Sequence, residues 1–347
     1  MSSKDFIDET EIERMLSDFN ITGFEAKVYL ALLKNGEMTL PELSKVLGKH
    51  RPQVYMTLSR LVEKGWVEKQ SGKPSYFRAV DPKIILNTMR KEIEEKIKYL
   101  EERLYDIYSG PSETTKGVWV LRSFKGLMSR AESIIESARK DLIISGNTTF
   151  IRRLWPKIEE ATKRGINVFI MLFTFRGEKL LISEIMRFNK VKRAISGDFI
   201  VLADSKIAVV MKQRRKYETI TYGLVIEEPT VIDYILHDFF YRWSRSRVIV
   251  DRPILLPTCF TMHRFAIIEA RRLIRSGKKL GARVNGIDIE TGEGITVDGV
   301  IEKCLLSIKT GLANIKLRTK HGTILVGGPD AVVEDIAARE ICLYEIS

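Results

Sequence analysis

Hydrophobic and polar positions recur with a helical period in three stretches between residues 23 and 65. In residues 50–69, HRPQVYMTLSRLVEKGWVEK, apolar side chains recur at i, i+4, i+7 and i+8 from Val54 to Val62. That spacing predicts an amphipathic helix. Earlier apolar patterns at 23–34 and 39–47 predict a longer and a shorter helix, the second opening with a Thr39/Glu42 capping box. Together these elements predict a helix-turn-helix.

The following residues, 66–80, alternate apolar and polar side chains on both sides of a Ser-Gly-Lys-Pro turn, which predicts a β-hairpin. A hairpin at this place makes a winged helix, whose amphipathic helix fits the DNA major groove. A winged helix that contacts protein instead is the alternative. Residues able to bond bases or phosphates occupy the amphipathic helix and the hairpin. The predicted DNA-binding residues are Arg51, Gln53, Thr57, Arg60, Lys69, Lys73 and Arg78.

A long charged segment at 83–110 carries apolar residues at heptad spacing, interrupted only by Arg90. This predicts a two-stranded coiled coil, and hence a homodimer or a higher oligomer; a linker helix packed on its own domain is the alternative. Two winged helices in a dimer read half-sites roughly 34 Å apart, so we expect a palindromic or near-palindromic double-stranded DNA operator. The apolar positions are Leu86, Ile93, Ile97, Leu100, Leu104 and Ile107.

The rest of the chain predicts two further folds. From Gly117, strand-like and helix-like runs alternate, which is typical of an α/β domain with a mostly parallel sheet. From Asp251, one helix precedes short strands with frequent turn signals, which predicts a β-rich domain. The fold class is therefore multidomain α+β. Its predicted parts are a winged helix-turn-helix at 1–82, a coiled-coil helix at 83–110, an α/β domain at 111–250 and a β-rich domain at 251–347.

Composition supports a nucleic-acid partner. The 347 residues are too many for one compact core, and 44% of them are hydrophobic, as in folded proteins. The chain has 57 Lys and Arg against 45 Asp and Glu, a net charge of +12. Such an excess favours a polyanionic partner such as DNA.

Targeting signals and cysteine spacing bound the remaining possibilities. The opening MSSKDFIDETEIERML is acidic and polar, and the apolar run at 166–175 is too short to span a bilayer. We therefore expect a cytoplasmic protein with no membrane partner. Cys259, Cys304 and Cys342 lie far apart without a CxxC pair, so we expect no metal site, no cofactor and no structural disulfide.

The four parts, in this order, resemble the TrmB-like archaeal sugar-sensing transcription regulators over nearly the whole chain. The resemblance rests on the winged helix, the coiled-coil helix, an α/β domain similar to phospholipase D, and the β-rich end. Its most telling stretch is GTILVGGPDAVVEDI at 322–336, which resembles the effector-binding segment of that family. The resemblance implies a small sugar effector, with Asn314, Gly328 and Glu334 as the sugar-binding residues.

The chemistry of these residues agrees with a sugar. A carboxylate accepts hydrogen bonds from hydroxyl groups, an amide both donates and accepts, and paired glycines permit close backbone approach. Without the resemblance, the residues favour a plain turn at Gly327-Gly328 and a solvated surface carboxylate at Glu334. With the resemblance, the sequence predicts a sugar-responsive repressor or dual regulator of sugar transport and metabolism genes.

Two other functions are weighed against this one. An effector-independent architectural DNA-binding protein is the first, although it has no use for the C-terminal region. A phosphodiesterase of the phospholipase D type is the second. The resemblance to such enzymes implies a His-x-Lys motif, in which His is the nucleophile and Lys holds the phosphate. None of the four histidines is followed by Lys two positions later, so we predict no catalytic residues and no enzyme. Those positions hold Pro52, Phe239, Phe265 and Thr323.

Overall fold

The computed structural model describes residues 9–108, 116–178, 182–212 and 222–346. The chain divides into two compact units, residues 1–112 and 113–347, and each unit has hydrophobic core of its own. Among the described residues, none of the helices combines the length and apolar character that a membrane crossing requires.

The first unit contains the helix-turn-helix and the hairpin in the predicted order. Strand β3 pairs antiparallel with both β1 and β2, so the small sheet has the order β1-β3-β2. The elements are α1 (Glu9–Ser17), α2 (Gly23–Asn35), β1 (Met38–Thr39), α3 (Leu40–Leu47), α4 (Arg51–Glu63), β2 (Val67–Gln70), β3 (Tyr76–Ala79) and α5 (Pro82–Ile107).

Local signals set the ends of α3. The backbone N–H and the hydroxyl of Thr39 both donate to the Glu42 carboxylate, at 2.7 Å each, so the predicted capping box is confirmed. Gly48 ends the helix with a left-handed φ of 61°, a conformation that glycine adopts without steric cost. The chain then turns into α4 within two residues.

Side-chain contacts fix α4 within the unit. Its buried residues pack into the core, and Lys64 at its C-terminal end pairs with Glu25 of α2 at 2.8 Å. Tyr29 of α2 packs edge-to-face on Trp66 at 5.0 Å and donates its hydroxyl to the Val80 carbonyl at 3.1 Å. Because α2, α4 and the hairpin are joined in this way, the outer face of α4 has a fixed orientation.

Helix α5 leaves its heptad positions uncovered. Ile85 at its start is buried in the core of the first unit. Further along, the heptad positions Leu86, Ile93, Ile97, Leu100 and Leu104 are 43–59% exposed. The described part of the chain therefore covers none of this stripe, and a partner helix would bury it. The coiled coil stays a prediction.

The second unit begins with an eight-stranded sheet of the order β11-β7-β6-β5-β8-β9-β10-β4. Its elements are β4 (Val118–Leu121), α6 (Phe124–Ser137), β5 (Asp141–Asn147), α7 (Thr148–Lys163), β6 (Asn167–Phe173), α8 (Ile182–Ile185), β7 (Lys190–Arg193), β8 (Phe199–Ala203), β9 (Ile207–Met211), β10 (Gly223–Ile226), α9 (Pro229–Arg245) and β11 (Arg247–Asp251).

The expectation of a mostly parallel sheet is wrong. Among the described strands, β5–β6 and β6–β7 pair parallel, whereas the other neighbours in the sheet pair antiparallel. The reason is the hairpin of β8 and β9 around Asp204 and Ser205, which is followed by strands that pair beside it. Helical crossovers, which produce parallel pairs, are confined to β5, β6 and β7.

The C-terminal residues form a small closed sheet with one helix. The strand order is β12-β17-β13-β14-β15-β16, and β16 pairs back onto β17, which closes the ring. The elements are β12 (Thr258–Phe260), α10 (His263–Arg275), β13 (Leu280–Asp288), β14 (Gly294–Leu306), β15 (Ala313–Thr319), β16 (Gly322–Gly327) and β17 (Ile336–Glu345).

A disulfide joins Cys259 of β12 to Cys342 of β17, so the expectation of no structural disulfide is wrong. The two cysteines are 83 residues apart in sequence, but antiparallel pairing places them directly opposite each other, with a Cα–Cα distance of 3.9 Å. Cys304 is free. The linear spacing of cysteines could not reveal this pairing.

One hydrophobic core runs through both sheets of the second unit. Phe169 of the eight-stranded sheet stacks near Phe265 of α10 at 4.2 Å, and Trp243 of α9 packs edge-on against both rings. The same cluster continues to Val284 and Ile315 of the closed sheet. The two sheets therefore share a core although a boundary between them was predicted at residue 250.

The buried carboxylate of Asp141 joins the two sheets by hydrogen bonds. Its oxygens accept from the backbone N–H groups of Thr261 and Met262 at 2.7 and 2.8 Å, and from the Thr261 hydroxyl at 2.6 Å. A second polar contact lies between Lys190 of β7 and Glu269 of α10, at 2.5 Å. These bonds hold the β12–α10 corner against the eight-stranded sheet.

Stability of the second unit should depend on the protonation of Asp141. Burial raises the pKa of this carboxyl from 3.8 to about 6. The group then contributes stability that is complete below the unfolded pKa and is lost as the pH rises through the folded pKa. Between pH 4 and pH 7, the melting temperature of the wild-type second unit should therefore fall relative to that of Asp141→Asn. Calorimetry on the full chain measures this, and parallel curves would contradict it.

Candidate functional site

The first candidate surface is the outer face of α4. Three of the predicted DNA-binding residues on this helix, Arg51, Gln53 and Arg60, are exposed. Pro52 stands in the first turn, where a backbone N–H has no partner within the helix, so the helix begins there without loss. Guanidinium and amide groups on an exposed helix can bond base edges and phosphates.

Thr57 does not belong to this surface. The side chain is buried, with 7% of its area exposed, and its hydroxyl donates to the Gln53 carbonyl at 3.0 Å. Val54 and Leu58 face the core, and Thr57 lies beside them on the same side of the helix. The prediction of a DNA contact from Thr57 is therefore wrong for this fold.

The centre of the outer face holds residues that the sequence analysis did not name. Pro52, Met56, Ser59 and Glu63 follow at spacings of four, three and four, on the side opposite the buried residues. The Met56 side chain is 58% exposed. The spacing of these residues around the helix indicates their outward position. The predicted DNA-binding residues reflect hydrogen-bonding chemistry instead.

Two cations of the hairpin are available to a polyanion, and a third is paired. Lys69 and Lys73 are exposed, and Lys69 lies 6.0 Å from the Phe77 ring. Arg78 pairs across the hairpin with Glu68 at 2.5 Å, and both side chains are more than half exposed. An exposed ion pair of this kind is weak, so Arg78 can exchange partners at small cost.

Two of the predicted sugar-binding residues, Asn314 and Glu334, lie close together. Asn314 of β15 is 3% exposed, and its amide nitrogen lies 3.5 Å from a carboxylate oxygen of Glu334. The Asn314 Oδ1 atom is buried and has no hydrogen-bond partner among the described residues. A buried acceptor without a donor costs free energy, and a ligand hydroxyl would supply that donor.

The paired glycines are required by close packing. A Cβ on Gly327 would lie 2.8 Å from Cδ of Glu334, and a Cβ on Gly328 would overlap the imidazole ring of His263. Neither glycine has a positive φ, so packing alone selects glycine here. Gly328 thereby links the predicted site to the first residue of α10.

A small cleft of about 30 Å³ lies beside this loop. Its polar lining comes from α9, from the start of α10 and from the residues after Gly328, and Phe240 offers an aromatic ring. Asn314 and Glu334 do not line it, whereas His263 does. No sequence motif pointed to the charged and imidazole residues that line the cleft. They are Asp233, His237, His263, Arg264 and Asp330.

Charges around the cleft are arranged about Asp330. Its carboxylate lies 3.3 Å from His237 Nε2 and 3.7 Å from Arg264 Nη2. Burial lowers the pKa of His263 to about 3, so this imidazole is neutral and can donate one hydrogen bond and accept another. Burial also raises the pKa of Asp233. The arrangement suits a polar, uncharged ligand that has several hydroxyl groups.

Among the described residues, one cluster of possible metal ligands coincides with the disulfide. Cys259, Glu340 and Cys342 lie within reach of one cation, but the disulfide occupies both sulfur atoms. The β8–β9 hairpin contains no histidine. Asp204 in its turn accepts backbone N–H groups from Arg139, Lys140 and Asp141, which is a structural role.

The substitution Gly328→Ala should destabilise the second unit, because the added methyl overlaps the His263 ring. Overpacking of this kind costs about 1–3 kcal/mol. Gly294→Ala is the matched control, since a Cβ there meets no atom within 4 Å and the φ is not positive. Denaturant unfolding of the full chain measures both variants. Equal stability of the two would contradict the packing argument, and His263→Ala in the Gly328→Ala background should restore part of the loss.

Comparison with known proteins finds matches to one family along most of the chain. The model "Sugar-specific transcriptional regulator TrmB" matches residues 16–83. Two further models match the second unit: "Transcriptional regulator TrmB, EBD N-terminal subdomain" at 117–250 and "TrmB/TrmBL1, EBD C-terminal subdomain" at 255–346. The three models follow one another in chain order from residue 16 to residue 346.

Individual relatives agree with these matches. The "HTH-type sugar sensing transcriptional regulator TrmBL1" of Pyrococcus furiosus is 25% identical, over 97% of this chain and 99% of its own length. The "DNA-binding HTH-type transcriptional repressor TrmBL2" of Thermococcus kodakarensis is 24% identical, over 52% of this chain and 73% of its own length.

Solved structures are more distant. The structure of TrmBL2, described as an archaeal chromatin protein, is 20% identical, with 70% of this chain and 100% of that chain covered and a TM-score of 0.40. A TM-score this low supports no conclusion about this chain. The family assignment comes from the three sequence models and from the relative that matches over nearly its full length. The chain belongs to the TrmB family of transcriptional regulators.

Proposed function

We propose that this protein is a DNA-binding transcription regulator whose operator affinity is changed by a small sugar. The winged helix supplies the DNA-binding surface, and the corner around Gly328 supplies the effector site. The family models support the proposal, as does the end-to-end match to a relative that is named as sugar sensing. Transport and metabolism genes for that sugar are the proposed targets.

The observation that carries the sugar site is the buried, unpartnered Oδ1 atom of Asn314 beside Glu334. A sugar hydroxyl can donate to Oδ1, and a neighbouring hydroxyl can donate to the carboxylate. Gly327 and Gly328 keep the backbone close enough to take part. Hydroxyl-rich ligands satisfy such a set of acceptors, whereas an apolar ligand leaves them unpaired.

The adjoining cleft extends the site toward a larger sugar. Phe240 can cover the apolar face of a ring, and Arg264 and Asp330 can bond its hydroxyls. The Nε atom of Arg264 is also buried without a partner among the described residues. We propose that one sugar unit binds beside Asn314 and Glu334, and that a linked unit, as in a maltodextrin, packs over the mouth of this small cleft.

Sugar binding changes DNA binding only by its difference in affinity between two states of the protein. A coupling of about 1–3 kcal/mol changes operator affinity by roughly 5- to 150-fold. The two sheets of the second unit share a core and the Asp141 bonds. We therefore propose that sugar acts on the local arrangement of residues 261–264 and 327–335 rather than by moving one sheet past the other.

Three finer points of architecture complete the proposal. Helix α5 pairs with α5 of a second copy, because its heptad stripe is uncovered in the described chain. The dimer reads a palindromic or near-palindromic operator. The eight-stranded sheet has a phospholipase D-like arrangement without catalytic function, since its β8–β9 hairpin contains no histidine.

Two substitutions should separate the response to sugar from operator binding. Glu334→Ala should abolish the response of operator binding to sugar and leave sugar-free operator affinity nearly unchanged, because this residue lies in the second unit. Arg60→Ala should weaken operator binding, because an exposed guanidinium is removed from α4, and leave sugar binding intact. Fluorescence anisotropy with labelled operator measures the first property, and thermal shift against a sugar panel measures the second.

The paired variants distinguish a wrong site from a wrong function. A Glu334→Ala protein that responds at the same sugar concentration as wild type would place the effector elsewhere. A wild-type protein that binds no sugar from a panel of mono-, di- and oligosaccharides, while binding its operator, would contradict the effector proposal and favour the architectural role.

The heptad stripe of α5 predicts a dimer that one charge can break. Ile97→Lys places an ammonium group in the apolar seam and should shift the protein to monomers at micromolar concentration. Tyr99→Lys is the matched control, because Tyr99 is 59% exposed, close to the 50% of Ile97, and stands outside the heptad positions. Sedimentation velocity reads out both. A wild-type monomer, or equal behaviour of the two variants, would contradict the coiled coil.

A further inference from the structure

An apolar side chain lies on the outer face of the predicted recognition helix. Met56 stands at the centre of the stripe formed by Pro52, Ser59 and Glu63, opposite the buried Leu58 and its neighbours. Its side chain is 58% exposed. Because α4 is tied to α2 and to the hairpin, this side chain cannot turn into the core.

The surface around Met56 fits a polyanion. Gln53 and Arg60 flank it on one side of the helix, Arg51 stands at the helix start, and Lys69 with Lys73 projects from the hairpin. This distribution of charge complements DNA, whose phosphates would meet the cations on either side of the groove. The partner that touches Met56 is then the floor of the major groove.

The major groove presents one apolar group on its base edges, the C5 methyl of thymine. The other groups there are hydrogen-bond donors and acceptors. A thioether covering a donor or acceptor would leave that group without water or a partner, which costs free energy. A thioether packed on a thymine methyl removes apolar area of both from water and leaves no polar group unpaired.

We propose that Met56 reads thymine by packing its thioether against the C5 methyl, so that each operator half-site contains a thymine opposite this residue. This inference rests on the proposed DNA-binding function. It assigns Met56 a role in sequence specificity, whereas Lys69 and Lys73 act on phosphates and add affinity without sequence information.

The test begins with selection of an operator by the full-length wild-type protein from a randomised duplex library. Each thymine of the selected sequence is then replaced by deoxyuridine, which removes one methyl and keeps the base-pairing pattern. Loss of one buried methyl should weaken binding about fourfold for each half-site. One thymine position in each half-site should show this loss with the wild-type protein.

Three variants assign the effect to the side chain. Met56→Ala should bind the thymine and uracil operators equally, whereas Met56→Leu, which keeps the apolar volume, should still prefer thymine. Met15→Ala is the matched control, since Met15 is 51% exposed on α1 of the same unit. It should retain the wild-type preference. The salt dependence of Met56→Ala should equal that of wild type, because no phosphate contact is removed.

The outcomes separate this inference from the function on which it rests. A selected operator in which uracil replaces every thymine without loss would overturn the role of Met56 and leave the regulator intact. So would a Met56→Ala protein that keeps the full thymine preference. A library from which the wild-type protein enriches no sequence would overturn both the inference and sequence-specific regulation.

Discussion

The hydrogen bonds to the buried carboxylate of Asp141 are the interaction on which the geometry around His263 and Gly328 depends. The carboxylate stands at the start of a central strand and accepts three hydrogen bonds from Thr261 and Met262. These residues lead directly into His263, and the His263 ring is the wall against which Gly328 packs. This fully buried carboxyl group is tolerated because its oxygens accept these three hydrogen bonds. The position of the candidate sugar site therefore follows from one polar anchor within a largely apolar interface.

In the first unit, packing contacts likewise hold an exposed surface in a fixed orientation. Helix α4 has its inner side in the core and its C-terminal end bound through Lys64 to Glu25, which leaves one face to meet a partner. That face is not uniformly polar: cations and Gln53 surround an exposed Met56. Charge supplies attraction to DNA at long range, and the shape and polarity at the centre supply discrimination between bases.

The sequence predicts what local patterns encode and misses what long-range packing decides. The capping box of Thr39 and Glu42 and the turn between β8 and β9 follow from neighbouring residues, and both are present. Thr57 was assigned outward by its chemistry, although its angle on the helix buries it. The Cys259–Cys342 disulfide and the contact of Gly328 with His263 join distant parts of the chain, so no local spacing announces them. Family resemblance, rather than periodicity, pointed to Asn314 and Glu334.

The central claim is that sugar binding and operator binding are coupled through one protein. The most direct test is calorimetric titration of a bound sugar into the full-length protein, once free and once saturated with its operator. Linkage requires that the operator change sugar affinity by the same factor by which the sugar changes operator affinity. The account predicts equal factors, within the range of roughly 5- to 150-fold. Identical sugar affinity in the two titrations would contradict it, because the effector would then bind without any influence on DNA.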